Sequence, residues 1–345
     1  MKEYQLDDFI KATVTNDLKT VTECLEQGMS PNAKNKQKLS PFIASAANGH
    51  VELFRLFLKH QPDVLQVNKF GGTALIPASE KGFIEVVEIG VTTGIPINHV
   101  NRLGWSALLE AVILGDGGFL YQDIIRELLL SGADNQQKDF YQKDSYDYAS
   151  ELQQISISSL LTNSLKEDNF SEIRSFLKVG DIISAITHLI TMPESAKKNF
   201  YLGQSYERLK RYKEADYYYQ KEATKDVQFY FYLANSSRRQ NNMAAAFEYL
   251  DKGIESSDAY FYRYHKTNFL RDTGKHEEAL IEMARLLKEY PERVDFLFHQ
   301  ANSLESLGKI EAAIETLHLA DRYQKNNKLF IEQASRLEMS IKEKK

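Results

Sequence analysis

The sequence predicts an all-α protein built as two tandem α-solenoids, and three observations predict it. Before about residue 160 the chain resembles itself every 33 residues. Beyond that point, small residues and turn residues recur every 31 to 34 residues in a different pattern. Neither half carries the alternating apolar–polar runs that would mark strands. The length of 345 residues suits two domains or an elongated array rather than one core. The expected division is 1–160 and 161–345. Composition changes near the same place: residues 1–165 hold 14 basic and 20 acidic side chains, and 14 of the 19 tyrosines follow residue 165.

The first period is read from three aligned blocks. Leu39-Ser40-Pro41-Phe42-Ile43-Ala44-Ser45-Ala46 corresponds to Gly72-Thr73-Ala74-Leu75-Ile76-Pro77-Ala78-Ser79 and to Trp105-Ser106-Ala107-Leu108-Leu109-Glu110-Ala111-Val112. A hydroxyl residue opens each block at 40, 73 and 106, where it can accept a backbone N–H and cap a helix. Small Ala and Ser then allow close helix approach. Gly49 and Gly82 supply tight turns into a second amphipathic run. The units close with Gln61-Pro62-Asp63, Gly94-Ile95-Pro96 and Gly132-Ala133-Asp134. Residues 6–35 and a segment after Asp144 read as atypical end units, which a stacked array needs. These blocks resemble ankyrin repeats, although the family's usual histidine is Ile43, Ile76 or Leu109 here. About five extra residues lie around Gly115–Tyr121. They lack the Lys-Ser/Thr of a phosphate loop and the carboxylates of a calcium loop, so a longer helix-to-helix turn is expected.

The second period is anchored by Ala215, Ala246, Ala279 and Ala313. Gly274-Lys275-His276-Glu277-Glu278-Ala279 and Gly308-Lys309-Ile310-Glu311-Ala312-Ala313 carry the clearest turn signatures, and Leu202-Gly203-Gln204-Ser205-Tyr206 lies upstream. The pattern resembles the tetratricopeptide repeat. A weaker unit is expected over 165–193 and a closing helix over 328–342. The Ile155–Leu161 stretch, free of Pro and Gly, predicts a continuous helical junction. The fold class is therefore ankyrin repeats followed by tetratricopeptide repeats, and a bacterial source is the expectation.

Little in the sequence points to chemistry. Cys24 is the single cysteine, which excludes an internal disulfide framework, and its apolar neighbours Val21 and Leu25 predict burial. None of the eight histidines forms a ligand pair, and His50 sits in a repeat turn. The net charge of −5 excludes a polycationic surface for nucleic acid. No apolar run approaches the roughly 18 residues of a membrane span, and no secretory leader is recognisable. A cytoplasmic protein that is no enzyme is expected, with no cofactor, metal, small-molecule substrate, nucleic acid or membrane as partner.

The expected partners are proteins or extended peptides. By resemblance to peptide-binding tetratricopeptide proteins, the first helix of each pair lines the groove through its fifth, ninth and twelfth positions. The fifth are Phe200, Phe231, Tyr264 and Phe298, a candidate row of apolar anchors. The ninth include Asn235, Asn268 and Asn302, whose amides both donate and accept and so suit a peptide backbone. Arg238 and Arg271 at the twelfth suit a carboxylate. In the first half, Lys36, Lys69 and Arg102 share one position of the period and would form a basic row along projecting fingers. Phe70, Leu103 and Trp105 run beside it, with Trp105 a candidate hot spot for an acidic, partly apolar segment; the other reading has solvated finger tips and Trp105 packed between neighbouring fingers. Together these features predict an adaptor with two binding surfaces. The alternative is a peptide sensor whose C-terminal groove alters binding by the first half.

Overall fold

A computed structural model describes residues 3–163, 165, 167–257 and 259–343. Among them the chain is helical throughout, with 21 α-helices and no strand. The chain divides into two compact units, Met1–Lys166 and Glu167–Lys345.

The first unit contains α1 (Leu6–Val14), α2 (Leu18–Glu26), α3 (Pro41–Ala47), α4 (Val51–Lys59) and α5 (Leu75–Glu80). It continues with α6 (Ile84–Gly90), α7 (Ala107–Ile113), α8 (Phe119–Leu130), α9 (Ser145–Glu151) and α10 (Ile155–Thr162). The odd helices α1, α3, α5, α7 and α9 pack side by side in one row, and α4, α6, α8 and α10 form a second. Small residues explain the first row. In α3 only Ala47 escapes burial, because Ala44, Ser45 and Ala46 let helices approach on two sides. Helix α4 instead buries one stripe, Leu53, Phe54 and Phe57.

Two of the three predicted caps are made as expected. Ser40 Oγ accepts from Ile43 N and Ser106 Oγ from Leu109 N, each at 3.3 Å. Thr73 is the exception: Ala74 is already helical in its backbone angles, and Thr73 Oγ1 is buried without a hydrogen-bond partner. Cys24 is fully buried with Val21. His50 Nε2 lies 3.0 Å from Val14 O and so ties its repeat to the preceding one.

The insertion is closed rather than open. Asp116 Oδ1 accepts from Gly118 N at 2.9 Å, and Gln154 Nε2 donates to Gly115 O at 3.0 Å. Tyr121 is fully buried and donates to Glu80 O at 2.8 Å. The extra residues therefore lengthen a turn and open a 12-residue second helix, where α4 has nine. The expected junction helix ends at Thr162, and Ser164 and Lys166 lie outside the described residues.

The second unit begins with α11 (Ser171–Val179), α12 (Ile182–Thr191), α13 (Ala196–Arg208), α14 (Tyr212–Ala223), α15 (Gln228–Arg239) and α16 (Met243–Ser256). It ends with α17 (Tyr260–Asp272), α18 (His276–Glu289), α19 (Val294–Ser306), α20 (Ile310–Tyr323) and α21 (Lys328–Lys342). Each helix packs chiefly on the next, so the array is a chain of antiparallel hairpins. Ala215, Ala246, Ala279 and Ala313 are all buried where paired helices meet. Gly203 shows how close that approach is: a Cβ there would lie 2.1 Å from Tyr219 Cε1. Helices α13, α15, α17 and α19 are buried on nearly every side, whereas α14, α16, α18 and α20 each bury a single stripe.

Candidate functional site

In the first unit the fingers are built by a recurring side chain rather than by their basic tips. Asn68 Oδ1 accepts from Phe70 N at 2.9 Å and Gly72 N at 3.0 Å. Asn101 Oδ1 accepts from Leu103 N and Trp105 N, and Asp139 Oδ1 from Tyr141 N and Lys143 N. Asn35 does the same for Gln37 N and Leu39 N. A short acceptor at 35, 68, 101 and 139 thus holds every turn by the same two bonds, a signal present in the period but not singled out beforehand.

The basic row has only part of the form expected of it. Lys36 is exposed, Lys69 is half-buried with Nζ 5.7 Å from the Phe70 ring centroid, and Arg102 is half-buried. Arg102 N donates to Phe70 O at 2.8 Å, which brings those two fingers together. Trp105 and Leu103 are a correction to the expected exposed aromatic edge, being only 3% accessible. The Trp105 indole N–H donates to Asp139 Oδ2 at 3.0 Å, where the Tyr148 hydroxyl also donates at 2.6 Å. Burial of a large ring with its single donor satisfied makes Trp105 a core residue between fingers. Large exposed rings lie one finger further on, at Phe140 and Tyr141 (59% and 43% accessible), and at Tyr146 in the first turn of α9 (46%). The 33-residue spacing missed them because the insertion displaces that finger by five positions.

In the second unit the predicted anchors also turn inward. Phe231, Tyr264 and Phe298 are buried to within about 1% of their surface, as is Phe200. Phe231 lies 4.7 Å from both the Phe261 and His265 rings, Tyr264 stacks on Phe296, and Phe298 meets Phe330. They therefore join successive helices and, as placed, offer no surface to a ligand. This corrects the expected apolar row. The helix that carries them is packed nearly all round, so a fifth-position ring finds a neighbouring helix instead of solvent.

The polar rows are brought together, mostly on one another. Asn302 Nδ2 donates to Phe298 O at 2.8 Å, and Gln333 Nε2 donates to Asn302 Oδ1 at 3.1 Å. Arg271 Nη1 donates to Asn268 Oδ1 at 3.1 Å and also to His299 Nδ1. Arg238 packs over the Phe269 ring and pairs with Asp272 at 3.4 Å; burial lowers the basicity of its guanidinium and Asp272 opposes that shift. Glu207 accepts from Arg239 at 2.7 Å and from the Tyr219 hydroxyl at 3.2 Å.

Asn235 differs from its two counterparts. Its side chain is 93% buried, and Oδ1 has no hydrogen-bond partner. An unmet buried amide oxygen costs about 1–3 kcal/mol, and this one, like Asn199 Oδ1 one repeat earlier, has almost no accessible surface as placed. Arg238, three residues on, shares its helix face. Among the described residues no group of three or more His, Cys, Asp or Glu side chains could hold a metal ion. No helix of the described chain is long and apolar enough to cross a membrane.

Comparison with known proteins matches both repeat types. Residues 9–91 match the family model for ankyrin repeats (3 copies), and residues 270–327 match that for the tetratricopeptide repeat. The putative ankyrin repeat protein YahD of Escherichia coli (strain K12) is 37% identical over 142 residues, covering 41% of this chain and 71% of that protein. Among solved structures, an ankyrin repeat domain from Acinetobacter baumannii AYE is 35% identical, covering 46% of this chain and 86% of that one, with a TM-score of 0.44. EF0377, an ankyrin repeat protein, is also 35% identical at a TM-score of 0.44, covering 46% of this chain and 85% of that one.

Proposed function

We propose, from the premise that this chain belongs to the ankyrin-repeat proteins and carries tetratricopeptide repeats behind them, that it is a non-catalytic adaptor. Both repeat types are generic protein-interaction modules. The finer reading is that each unit holds a different protein or extended peptide, so that two partners gain effective concentration on one chain.

The observation that carries this reading is that two repeat types of this kind stand in one chain, over residues 9–91 and 270–327; in the second unit, the Asn235 amide is buried with no partner for Oδ1. An extended peptide that displaces the neighbouring side chains would offer a main-chain N–H to that oxygen whatever its sequence. One such bond is worth only about 0.5–1.5 kcal/mol net, so further contacts must come from the surrounding Arg238, Asn268 and Arg271. For the first unit the support is the exposed Phe140, Tyr141 and Tyr146 beside half-buried cationic fingers. Aromatic side chains of that kind dominate interface energetics.

The test is affinity capture from bacterial lysate with mass spectrometry, comparing wild type with an Asn235→Ala variant and a Phe140→Ser, Tyr141→Ser variant. Loss of different proteins from the two variants supports the adaptor. If both variants retain every captured protein, these two surfaces are not the binding surfaces.

A peptide sensor is the second reading, favoured by one feature of the inner row. Its polar side chains are already bonded to one another, as in Arg238–Asp272, Arg271–His299 and Asn302–Gln333. A peptide entering there must exchange those bonds and so shift the packing of α15 through α21. Tight binding of a short synthetic peptide with a change in hydrogen exchange over α17 and α19 would favour sensing over a passive adaptor.

A further inference from the structure

The inner helices of the second unit are joined by side chains near their ends, and one of these joints is chemically unlike the others. Glu207 of α13 accepts from Arg239 of α15 at 2.7 Å. Arg238 of α15 pairs with Asp272 of α17 at 3.4 Å, and Glu305 of α19 with Arg336 of α21 at 2.8 Å. Each of these joins opposite charges. Between α17 and α19, by contrast, Arg271 Nη1 donates to Nδ1 of His299. An imidazole nitrogen accepts only while it carries no proton, so this joint requires a neutral ring. The ring's proton then sits on Nε2, 3.4 Å from the Tyr264 hydroxyl oxygen.

A second proton on His299 would set two cations against each other where the residue is only 8% accessible. The carboxylates around it are already committed. From α17 the ring meets Arg271 and the Tyr264 phenol, and the neighbouring Asp272 is held by Arg238. On α19 itself Asp295, one turn earlier, takes two bonds from Arg293 at 2.8 and 2.7 Å, and Glu305 is shared by Gln333 and Arg336. The buried carboxylate of α18 is Glu282, which Arg263, Lys266 and Arg285 surround. Helix α20 buries Ala313, Leu317 and Ala320, and α21 buries Phe330 and Gln333 among other uncharged residues.

We propose that the Arg271–His299 joint is a pH-sensitive hinge in the second unit, closed at neutral pH and opened by mild acid. Protonation drives Arg271 off Nδ1 and loosens α19 against α17. The other three joints hold, because their carboxylates stay ionised above about pH 5. The polar row loosens at the hinge, since Asn268 shares the Arg271 guanidinium and Asn302 follows His299 on the same helix face. The unfolded chain takes up this proton in the ordinary histidine range near pH 6.5, whereas the folded chain resists it. Folded stability is therefore complete above that range and falls below it.

The experiment is hydrogen exchange with mass spectrometry on the full chain at about pH 7.5 and about pH 5.5, at one ionic strength and corrected for the intrinsic effect of pH. In wild type, exchange in α19 through α21 should be at least about three-fold faster at the lower pH, with α13 through α15 unchanged. His299→Gln keeps an acceptor for Arg271 but takes up no proton, and it should remove the difference. Arg271→Met removes the opposing cation and should remove it as well. His265, the other buried histidine of this row, lies among Phe231, Phe261 and Tyr264, and His265→Gln should leave the difference in place. Equal exchange at both pH values in wild type would overturn the proposal. So would a difference that persists in both His299→Gln and Arg271→Met, or one that only His265→Gln removes.

Discussion

At the scale of single residues, the side chains that divide surface from core are aromatic and amide groups whose identity alone is neutral. Trp105 satisfies its indole N–H on Asp139 and is buried. Trp105→Ala should therefore cost about 3–5 kcal/mol, read as a fall in the melting temperature of the first unit, rather than leave a folded protein with one contact missing. Asn235 predicts the opposite sign. Replacing it by Leu removes a buried oxygen that has no partner, so stability should rise by about 1 kcal/mol in urea unfolding while peptide binding falls. A destabilised Asn235→Leu chain would show that this amide is satisfied in solution. Nothing in the sequence distinguishes Asn235 from Asn268 and Asn302. Their difference lies in Arg271 and Gln333, which arrive from the same helix and from α21.

At the scale of elements, turn geometry follows a register more faithfully than residue type does. In the first unit left-handed residues recur between paired helices at Asn16, Gly49, Gly82, Gly117 and Gln153. In the second unit they recur at Gly180, Lys210, Asn241, Gly274 and Gly308. Gly49, Gly82, Gly274 and Gly308 were legible as turn signals. Lys210, with φ of 58°, was not, because the backbone conformation is imposed by the hairpin and the side chain merely tolerates it. Lys210→Gly should stabilise the second unit by about 0.5–1 kcal/mol, since a left-handed residue with a Cβ is strained by roughly that amount. Gly203→Ala should destabilise by about 1–3 kcal/mol, because its methyl group would overlap the Tyr219 ring. Capping supplies a matched pair. Ser106→Ala should cost about 0.5–2 kcal/mol, whereas Thr73→Ala should leave the thermal midpoint close to wild type because Thr73 Oγ1 makes no cap.

At the scale of the whole molecule, buried and half-buried ion pairs give the second unit a defined response to acid. Burial alone would raise the Glu282 carboxyl, but Arg263, Lys266 and Arg285 outweigh it and hold it below the usual glutamate range. At Asp168 burial is likewise outweighed, there by Arg174 and Lys197, and the carboxyl is held far below its ordinary value. For carboxyls lowered in the folded state, the stabilisation is complete above the unfolded range near pH 4 and is lost as pH falls through the folded values. The second unit should accordingly unfold at lower urea at about pH 3 than at about pH 6, and Glu282→Gln should flatten that dependence. A midpoint independent of pH across that interval would mean that these pairs do not form in solution.

The sequence by itself determined the repeat architecture. Helix periodicity, small residues at close approaches and turn residues are local properties, and each repeats often enough for chance agreement to fail. It also placed the closing helix and the burial of Cys24. Only the tertiary structure decided which repeated side chains face outward. Phe231, Tyr264, Phe298 and Trp105 were candidate contact residues from their place in the period, yet they are covered by the helix or finger next to them. The physical reason is that exposure belongs to a pair of neighbouring elements rather than to one residue. The same principle leaves Phe140, Tyr141 and Tyr217 outside, because no element of their own unit covers them.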